Sequence, residues 1–253
     1  HAGRTGGLPF VGVGWYRTEF DVPQFQAGKR ATILFDGAMS HANVYINGQK
    51  VGYWPYGYNS FHFDITKYLK PGEKNTLAVR LENLPESSRW YPGAGLYRNV
   101  HLIITEDAYI PVWGTYITTP SVNEKFAKVN VRTKVVLPEG ADPAKYSVET
   151  SVWNPNKQKL TAVRTSLAQM KYNNNQAEQE FVIQTPSLWS PEMPALYSAE
   201  TRLYEGDKLK DIYTTPFGIR SIEIIPDKGF FLNGKRTVFK GVCNHHDLGP
   251  LGA

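Results

Sequence analysis

The chain has 253 residues, enough for two or more domains with real cores, and it holds no run of the ~18 apolar residues that a membrane helix needs. Lys and Arg number 28 against 23 acidic residues, for a net charge of +5. The positives alternate with acids, as in KYLKPGEK and EGDKLKD, so no basic stripe tracks a phosphate backbone and a nucleic-acid partner is set aside.

From the N-terminus, HAGRTGGLPF lacks the charged-then-apolar order of a signal peptide and has no initiator Met, so a processed or truncated piece is expected. Period-two alternation then dominates: GWYRTEFDV, ATILFDGA, NVYINGQKVGYW, SFHFDI, TLAVRLE and NVHLII each place apolar or aromatic side chains on one strand face. Asn47-Gly48 supplies the two positive-φ positions of a type I′ hairpin turn, whose twist matches the strands it joins. ITKYLKPG is the one stretch that reads as a helical turn, capped by Asp64 and ended by Pro71-Gly72.

YWPYGYNSF concentrates Tyr53, Trp54, Tyr56 and Tyr58. A sandwich core uses only alternate side chains, so the remainder face outward, for packing against another domain in the preferred reading and for sugar stacking in the other. SRWYPGAGLYRNV gathers Arg89, Trp90, Tyr91, Tyr97 and Arg98 around Pro92, Gly93 and Gly95, which makes a shaped loop. Guanidinium groups stacked on rings to fix a corner rank above direct ligand contact, with a carbohydrate rim as the functional alternative. This first block, residues 1–108, is read as a jelly-roll β-sandwich.

Alternation lapses at TEDAYIP and resumes in VWGTYITT, VNVRTKVVL, YSVETSVW, LTAVRTSL, EQEFVI, LYSAETRLY and KDIYTTPFGIR. Seven short strands of this kind suit an immunoglobulin-like β-sandwich over residues 109–222. KYNNNQ reads as an exposed hairpin loop within it. Residues 223–253 open a further domain, with a hairpin at Asn233-Gly234 and a buried-looking strand, VFKGVC. Cys243, the single cysteine, permits no intrachain disulfide, leaves the compartment open and reads as a packing residue of that strand. Beyond it come Asn244, His245, His246 and Asp247. Adjacent strand residues point to opposite faces, so the two histidines are poorly placed to share a metal ion, and no ligand at metal spacing completes a set. No nucleophile elbow, phosphate loop or Ser-His-Asp arrangement is legible.

Four stretches in order, GVGWYRTEFDVP, RLENLPESSRWYPGAGLYRNVHL, TPSLWSPEMPALYSAETRLYEGDKLKDIYTTPFGIRSIEI and GFFLNGKRTVFKGVCNHHDLGPLGA, resemble the N-terminal part of a glycoside hydrolase family 2 enzyme. The resemblance implies an all-β chain: a sugar-binding jelly roll, an immunoglobulin-like sandwich and the first strand of a truncated (β/α)8 barrel. The GVCNHHDLGPLG form most resembles bacterial β-galactosidases. Barrel sites gather at the carboxyl ends of strands, where NHHD would fall. His245 matches the histidine that meets the galactosyl hydroxyls, with Asn244, His246 and Asp247 as supports. Asn83 takes the place of a jelly-roll residue entering the same pocket, with Glu82 the fallback and Trp90 on the rim.

Retaining cleavage of terminal β-galactosides would then proceed through two glutamates on barrel strands outside this chain, so the chain alone is expected to be inactive. The resemblance implies no cofactor here and leaves Mg²⁺ or Na⁺ open for the complete enzyme. It makes the catalytic barrel of the same protein and β-galactoside glycans the partners, and favours a periplasmic or secreted location. Competing readings are a family 2 β-glucuronidase or β-mannosidase, a non-catalytic carbohydrate-binding module, and a scaffold whose exposed Tyr53, Trp54 and Tyr56 mediate homo-oligomer contacts.

Overall fold

A computed structural model of the chain describes residues 12–24, 28–83, 95–169 and 176–242. The described residues fall into two compact units, the first ending at Thr105 and the second running from Glu106 to Gly241.

The first unit is the expected jelly-roll sandwich. Its strands are β1 (Gly12–Asp21), β2 (Arg30–Phe35), β3 (Ala42–Ile46), β4 (Gln49–Trp54), β5 (Phe61–Asp64), β6 (Lys74–Asn83) and β7 (Val100–Thr105). Antiparallel pairing gives a four-stranded sheet in the order β1-β6-β3-β4 and a three-stranded sheet β5-β2-β7. The alternation seen in the sequence becomes burial: Leu77, Val79 and Leu81 of β6 point inward while Ala78, Arg80 and Glu82 do not. Phe35 stacks on Phe61 at 4.8 Å and Trp54 on Phe61 at 5.6 Å. Each fully buried side chain of this size contributes about 1.5–3 kcal/mol.

Asn47 and Gly48 adopt φ of 49° and 80°, as the type I′ turn requires. The Asn47 amide donates to the Tyr68 carbonyl and to Asn75 Oδ1, and its own oxygen accepts from the Thr76 N–H, so the turn is locked to the start of β6. The expected helical turn is a 3₁₀ turn at Thr66–Tyr68, and the Asp64 carboxylate accepts from the Thr66 N–H at 2.8 Å. In the aromatic run, Trp54 packs on the core while its strand neighbour Tyr53 stands exposed, the alternation the pleat demands, and Tyr56 and Tyr58, beyond the end of β4, are exposed as well.

The second unit contains β8 (Thr115–Val122), β9 (Phe126–Lys134), β10 (Tyr146–Trp153), β11 (Lys159–Ser166), β12 (Gln176–Gln184), β13 (Tyr197–Glu205) and β14 (Lys208–Phe217). They form a three-stranded sheet β12-β9-β8 and a four-stranded sheet β11-β10-β13-β14, the immunoglobulin-like sandwich expected. Tyr197, at the start of β13, accepts a hydrogen bond from the Ser187 N–H at 2.8 Å, a tyrosine corner of the kind such sandwiches use. A short third sheet, β15 (Ile222–Ile225), β16 (Gly229–Leu232) and β17 (Lys235–Arg236), turns at Asn233-Gly234 with φ of 51° and 75°. Asn233 fastens it to the sandwich, accepting from the Ser221 N–H and donating to the Trp189 carbonyl, each at 3.0 Å.

One expectation needs correction and another is not shown. The flanks of KYNNNQ are not a hairpin, since β11 pairs with β10 and β12 pairs with β9, so the connection crosses between sheets; residues 171–175 themselves lie outside the described residues. VFKGVC is not shown as a strand: over its described part, residues 238–242, it carries no ladder, and Val238, Phe239 and Val242 are exposed. A barrel strand exists only through pairing with neighbours, and none of the described residues pairs with this segment.

Candidate functional site at the loop end of the first sandwich

Strand β6 runs out at Glu82 and Asn83, whose ladder partners on β1 are Val13 and Gly12. The turn after β2 fixes the same backbone from the other side. The Glu82 N–H donates to the Ser40 carbonyl at 2.9 Å, and the Ser40 hydroxyl donates to the Glu82 carbonyl at 2.9 Å. Met39 and Gly95 exchange both backbone hydrogen bonds at 3.0 Å, and the His41 N–H donates to the Pro55 carbonyl at 3.1 Å. Segments 36–41, 53–60, 82–83 and 95–98 therefore meet at one end of the sandwich.

Glycines permit this gathering. A Cβ on Gly37 would lie 2.6 Å from the Tyr97 ring, and one on Gly57 would lie 2.7 Å from the Met39 side chain. Tyr97 donates from its hydroxyl to the Gly57 carbonyl at 2.7 Å, with the Arg98 guanidinium 5.3 Å from its ring centre. Over residues 95–98 the structure thus shows the ring-and-guanidinium corner preferred for SRWYPGAGLYRNV; Arg89, Trp90 and Tyr91 lie outside the described residues.

The side chains at this end are hydrogen-bonding groups. Glu82 is ion-paired with Arg80, and the Arg80 hydrogen bond holds its carboxyl below the usual carboxylate range against a smaller opposing desolvation, with further help from the charges of Arg80 and His41. His41 Nδ1 lies 2.7 Å from the Tyr53 hydroxyl, and the Asn43 amide donates to the His41 carbonyl at 3.1 Å. A carboxylate held ionised by a guanidinium accepts hydrogen bonds from hydroxyls. It does not serve as a general acid, which needs a carboxyl raised toward neutral pH. The arrangement can orient a polyol and supplies no bond-breaking pair.

Of the residues expected to face sugar, Glu82 and Asn83 end β6 here, successive strand residues whose side chains leave on opposite faces. Asn244, His245, His246, Asp247 and Trp90 lie outside the described residues. The sequence reading passed over Ser40, His41 and Arg80. Arg80 was findable as an outward position of an alternating strand, whereas the positive φ of 50° that turns His41 toward Tyr53 leaves no mark in the sequence. Among the described residues, no group of three or more His, Cys, Asp or Glu is placed to hold a metal.

The second unit has its own features. An open cavity of about 560 Å³ is lined by Asn154, Leu160, Thr185, Met193 and Tyr197 among others, with no carboxylate or imidazole on its wall. The nearly buried Lys210 ammonium lies 2.8 Å from Asp107 and 3.6 Å from Glu205. That cluster ties the segment entering the sandwich to β14, as does Asp211, which accepts from the Ile110 N–H at 2.8 Å.

Two family models cover most of the chain. Residues 9–106 match the sugar binding domain of glycosyl hydrolases family 2, and residues 109–220 match a second domain of glycosyl hydrolases family 2. The chain is 42% identical to the β-galactosidase BoGH2A of Bacteroides ovatus over 253 residues, all of this chain and 30% of that protein. It is 38% identical to a putative β-glucuronidase of Formosa agariphila over 99% of this chain and 23% of the relative. A solved glycosyl hydrolase family 2 member from Bacteroides cellulosilyticus superposes with a TM-score of 0.87 at 34% identity, covering 96% of this chain and 33% of the other. The chain thus spans a third or less of the length of these proteins.

Proposed function

Since the chain belongs to glycosyl hydrolases family 2, we propose that it is the sugar-binding and immunoglobulin-like portion of a retaining, exo-acting β-galactosidase. The observation that carries this reading is the 42% identity to a β-galactosidase along the whole of the chain. The loop end of the first sandwich supports it, because Glu82, Asn83, His41 and Tyr53 offer acceptors and donors for sugar hydroxyls without an acid/base pair. In this reading Asn83 and His245 meet the terminal galactosyl unit, Glu82, Asn244, His246 and Asp247 support them, and Trp90 lies on the rim.

Cleavage falls to two glutamates on barrel strands outside this chain, with carboxyl groups about 5–5.5 Å apart. One protonates the leaving oxygen while the other forms the covalent glycosyl intermediate that water releases, so configuration is retained. The chain by itself contributes one wall of the pocket and is inactive. Hydrolysis of nitrophenyl β-galactoside, β-glucuronide and β-mannoside by the full-length protein tests the reading, with the galactoside expected to turn over fastest. Preference for the glucuronide would favour the second reading, for which the relatives at 38% and 34% identity, named as a putative β-glucuronidase and a β-glucuronidase, give the motive. Galactose release by this chain alone at enzymatic speed would overturn both.

A further inference from the structure

The outer face of the sheet β1-β6-β3-β4 carries two rows of side chains, of which Trp15, Arg17, Tyr45 and Lys50 are employed by neither core nor turn. Ladder pairing sets Arg17, Ala78, Tyr45 and Lys50 side by side, and one step along sets Trp15, Arg80, Asn43 and Tyr53. Both rows project outward because the alternate residues Leu77, Val79 and Leu81 are buried. Over the small Ala78 the rings of Trp15 and Tyr45 lean together, their centres 5.6 Å apart at a 37° tilt. Trp15 is 59% exposed, a large apolar area left in water.

The charges on this face do not cancel. Arg80 is paired with Glu82, and Glu19 lies 3.9 Å from Lys74. Arg17 and Lys50 have no carboxylate partner among the described residues; Lys50 Nζ sits 5.9 Å from the Tyr53 ring centre. Three strand spacings separate them, about 14 Å, with the Trp15–Tyr45 ring pair between. A covering apolar protein surface would strip water from both cations without replacing it, which opposes such a partner. A chain that alternates C–H faces with carboxylates satisfies rings and cations together.

We propose that this face binds a hexuronate-containing glycan chain, with pyranose C–H faces on Trp15 and Tyr45 over Ala78 and carboxylates on Arg17 and Lys50. The guanidinium of Arg17 matches a carboxylate in bidentate geometry, whereas Lys50 acts as a point charge. The site adjoins the loop end of the sandwich through Tyr53, beside whose ring Lys50 lies, but uses other side chains and does not depend on which glycoside the parent hydrolyses.

Calorimetric titration of this chain with an oligogalacturonide, and with the same oligomer reduced at its carboxyl groups, tests the proposal. The acidic oligomer should bind at least tenfold more tightly than the reduced one and weaken as salt rises. Trp15→Ala should lose at least tenfold in affinity while Trp15→Tyr retains most of it. Arg17→Ala combined with Lys50→Ala should lose a similar factor together with the salt dependence, and Arg17→Lys should lose less. No binding, equal binding of the reduced oligomer, or affinity unchanged by Trp15→Ala would each overturn it. In the full-length protein Trp15→Ala should weaken oligogalacturonide binding by the same factor; no change there would mean that other parts of the protein cover this face, which also overturns it. Nitrophenyl β-galactoside hydrolysis, read separately, reports on the proposed activity alone.

Discussion

The two sandwiches share a four-against-three layering and dispose their polar side chains in opposite ways. In the first, one apolar cluster from Val22 to Leu81 fills the interior, and Arg80, Glu82, His41 and Tyr53 stand on the outer face and loop end. In the second, Thr133, Thr150, Gln179 and Thr201, one each from β9, β10, β12 and β13, form a belt across the interior, none more than 3% exposed. The belt divides the apolar residues into one cluster around Val129 and Phe181 and another around Val148 and Leu203. Polar groups cost free energy when buried unless hydrogen-bonded, so a belt restricts which strands can face each other. The first sandwich carries most of its polarity at the surface, the buried Asn75 being the exception; the second consumes part of its own internally.

The largest expected effect tests the uninterrupted core. Phe35, fully buried and stacked on Phe61, should cost about 3–5 kcal/mol when replaced by Ala, measured by urea denaturation. A loss below 1 kcal/mol would mean that the first interior is loosely packed and would dissolve the contrast.

Gln179→Leu comes next and probes the belt. The Gln179 amide nitrogen lies 3.1 Å from the Val148 carbonyl, 2.9 Å from the Val163 carbonyl and 3.1 Å from Thr165 Oγ1, so it reaches from one sheet to the other. The two carbonyls can only accept, which fixes the amide's orientation. Leucine has a similar volume but no donor, and the stranded acceptors should cost about 1–3 kcal/mol in the same measurement. A neutral or stabilising result would show that the belt is tolerated rather than required.

Much of this architecture was legible because its causes are local. Asn47-Gly48 and Asn233-Gly234 announce their turns through residues that accept positive φ, and period-two alternation gives each strand its buried face. What alternation cannot say is which sheet a strand joins, because that depends on partners distant in sequence. KYNNNQ was misread for this reason: LTAVRTSL and EQEFVI look like two arms of a hairpin yet pair with β10 and β9. VFKGVC shows the converse, a strand-like pattern with no ladder among the described residues. At the candidate site, Glu82 and Asn83 were found by resemblance, while His41 was missed because its approach to Tyr53 arises from the meeting of two loops.

Charge offers a smaller handle on the second unit. Lys210 hydrogen-bonds Asp107, which holds the Asp107 carboxyl below its ordinary value of 3.8 and raises the Lys210 ammonium above 10.5. The Asp107 contribution is therefore present above pH 3.8 and lost as pH falls through its lowered value. The Lys210 contribution is present below pH 10.5 and lost as pH rises through its raised value. Asp211 behaves oppositely to Asp107, because burial raises it more than the Ile110 and Ile212 N–H donors lower it. Its contribution is complete below pH 3.8 and lost as pH rises through the raised value. Lys210→Ala should cost about 1 kcal/mol at neutral pH, since the two carboxylates left without their cation are 39% and 41% exposed and remain hydrated. Asp107→Asn should flatten the acid limb of the stability profile and Asp211→Asn should steepen it. Equal slopes in the two variants would remove this account.

The smallest effect sharpens the comparison most, since it separates belt members that are bonded from one that is not. Thr150 and Thr201 share a hydrogen bond at 3.2 Å, whereas the Thr133 hydroxyl is buried with no partner among the described residues. Valine has the shape of threonine without the hydroxyl. Thr150→Val leaves Thr201 facing a methyl group and should destabilise by about 1 kcal/mol, while Thr133→Val removes an unpaired polar atom and should stabilise by up to about 1 kcal/mol. Opposite signs at two positions of the same belt, with nearly equal volume change, would show that pairing rather than polarity keeps these residues inside. If both substitutions stabilise, the belt is a cost carried throughout the second interior, and the two sandwiches differ in composition but not in the logic of their cores.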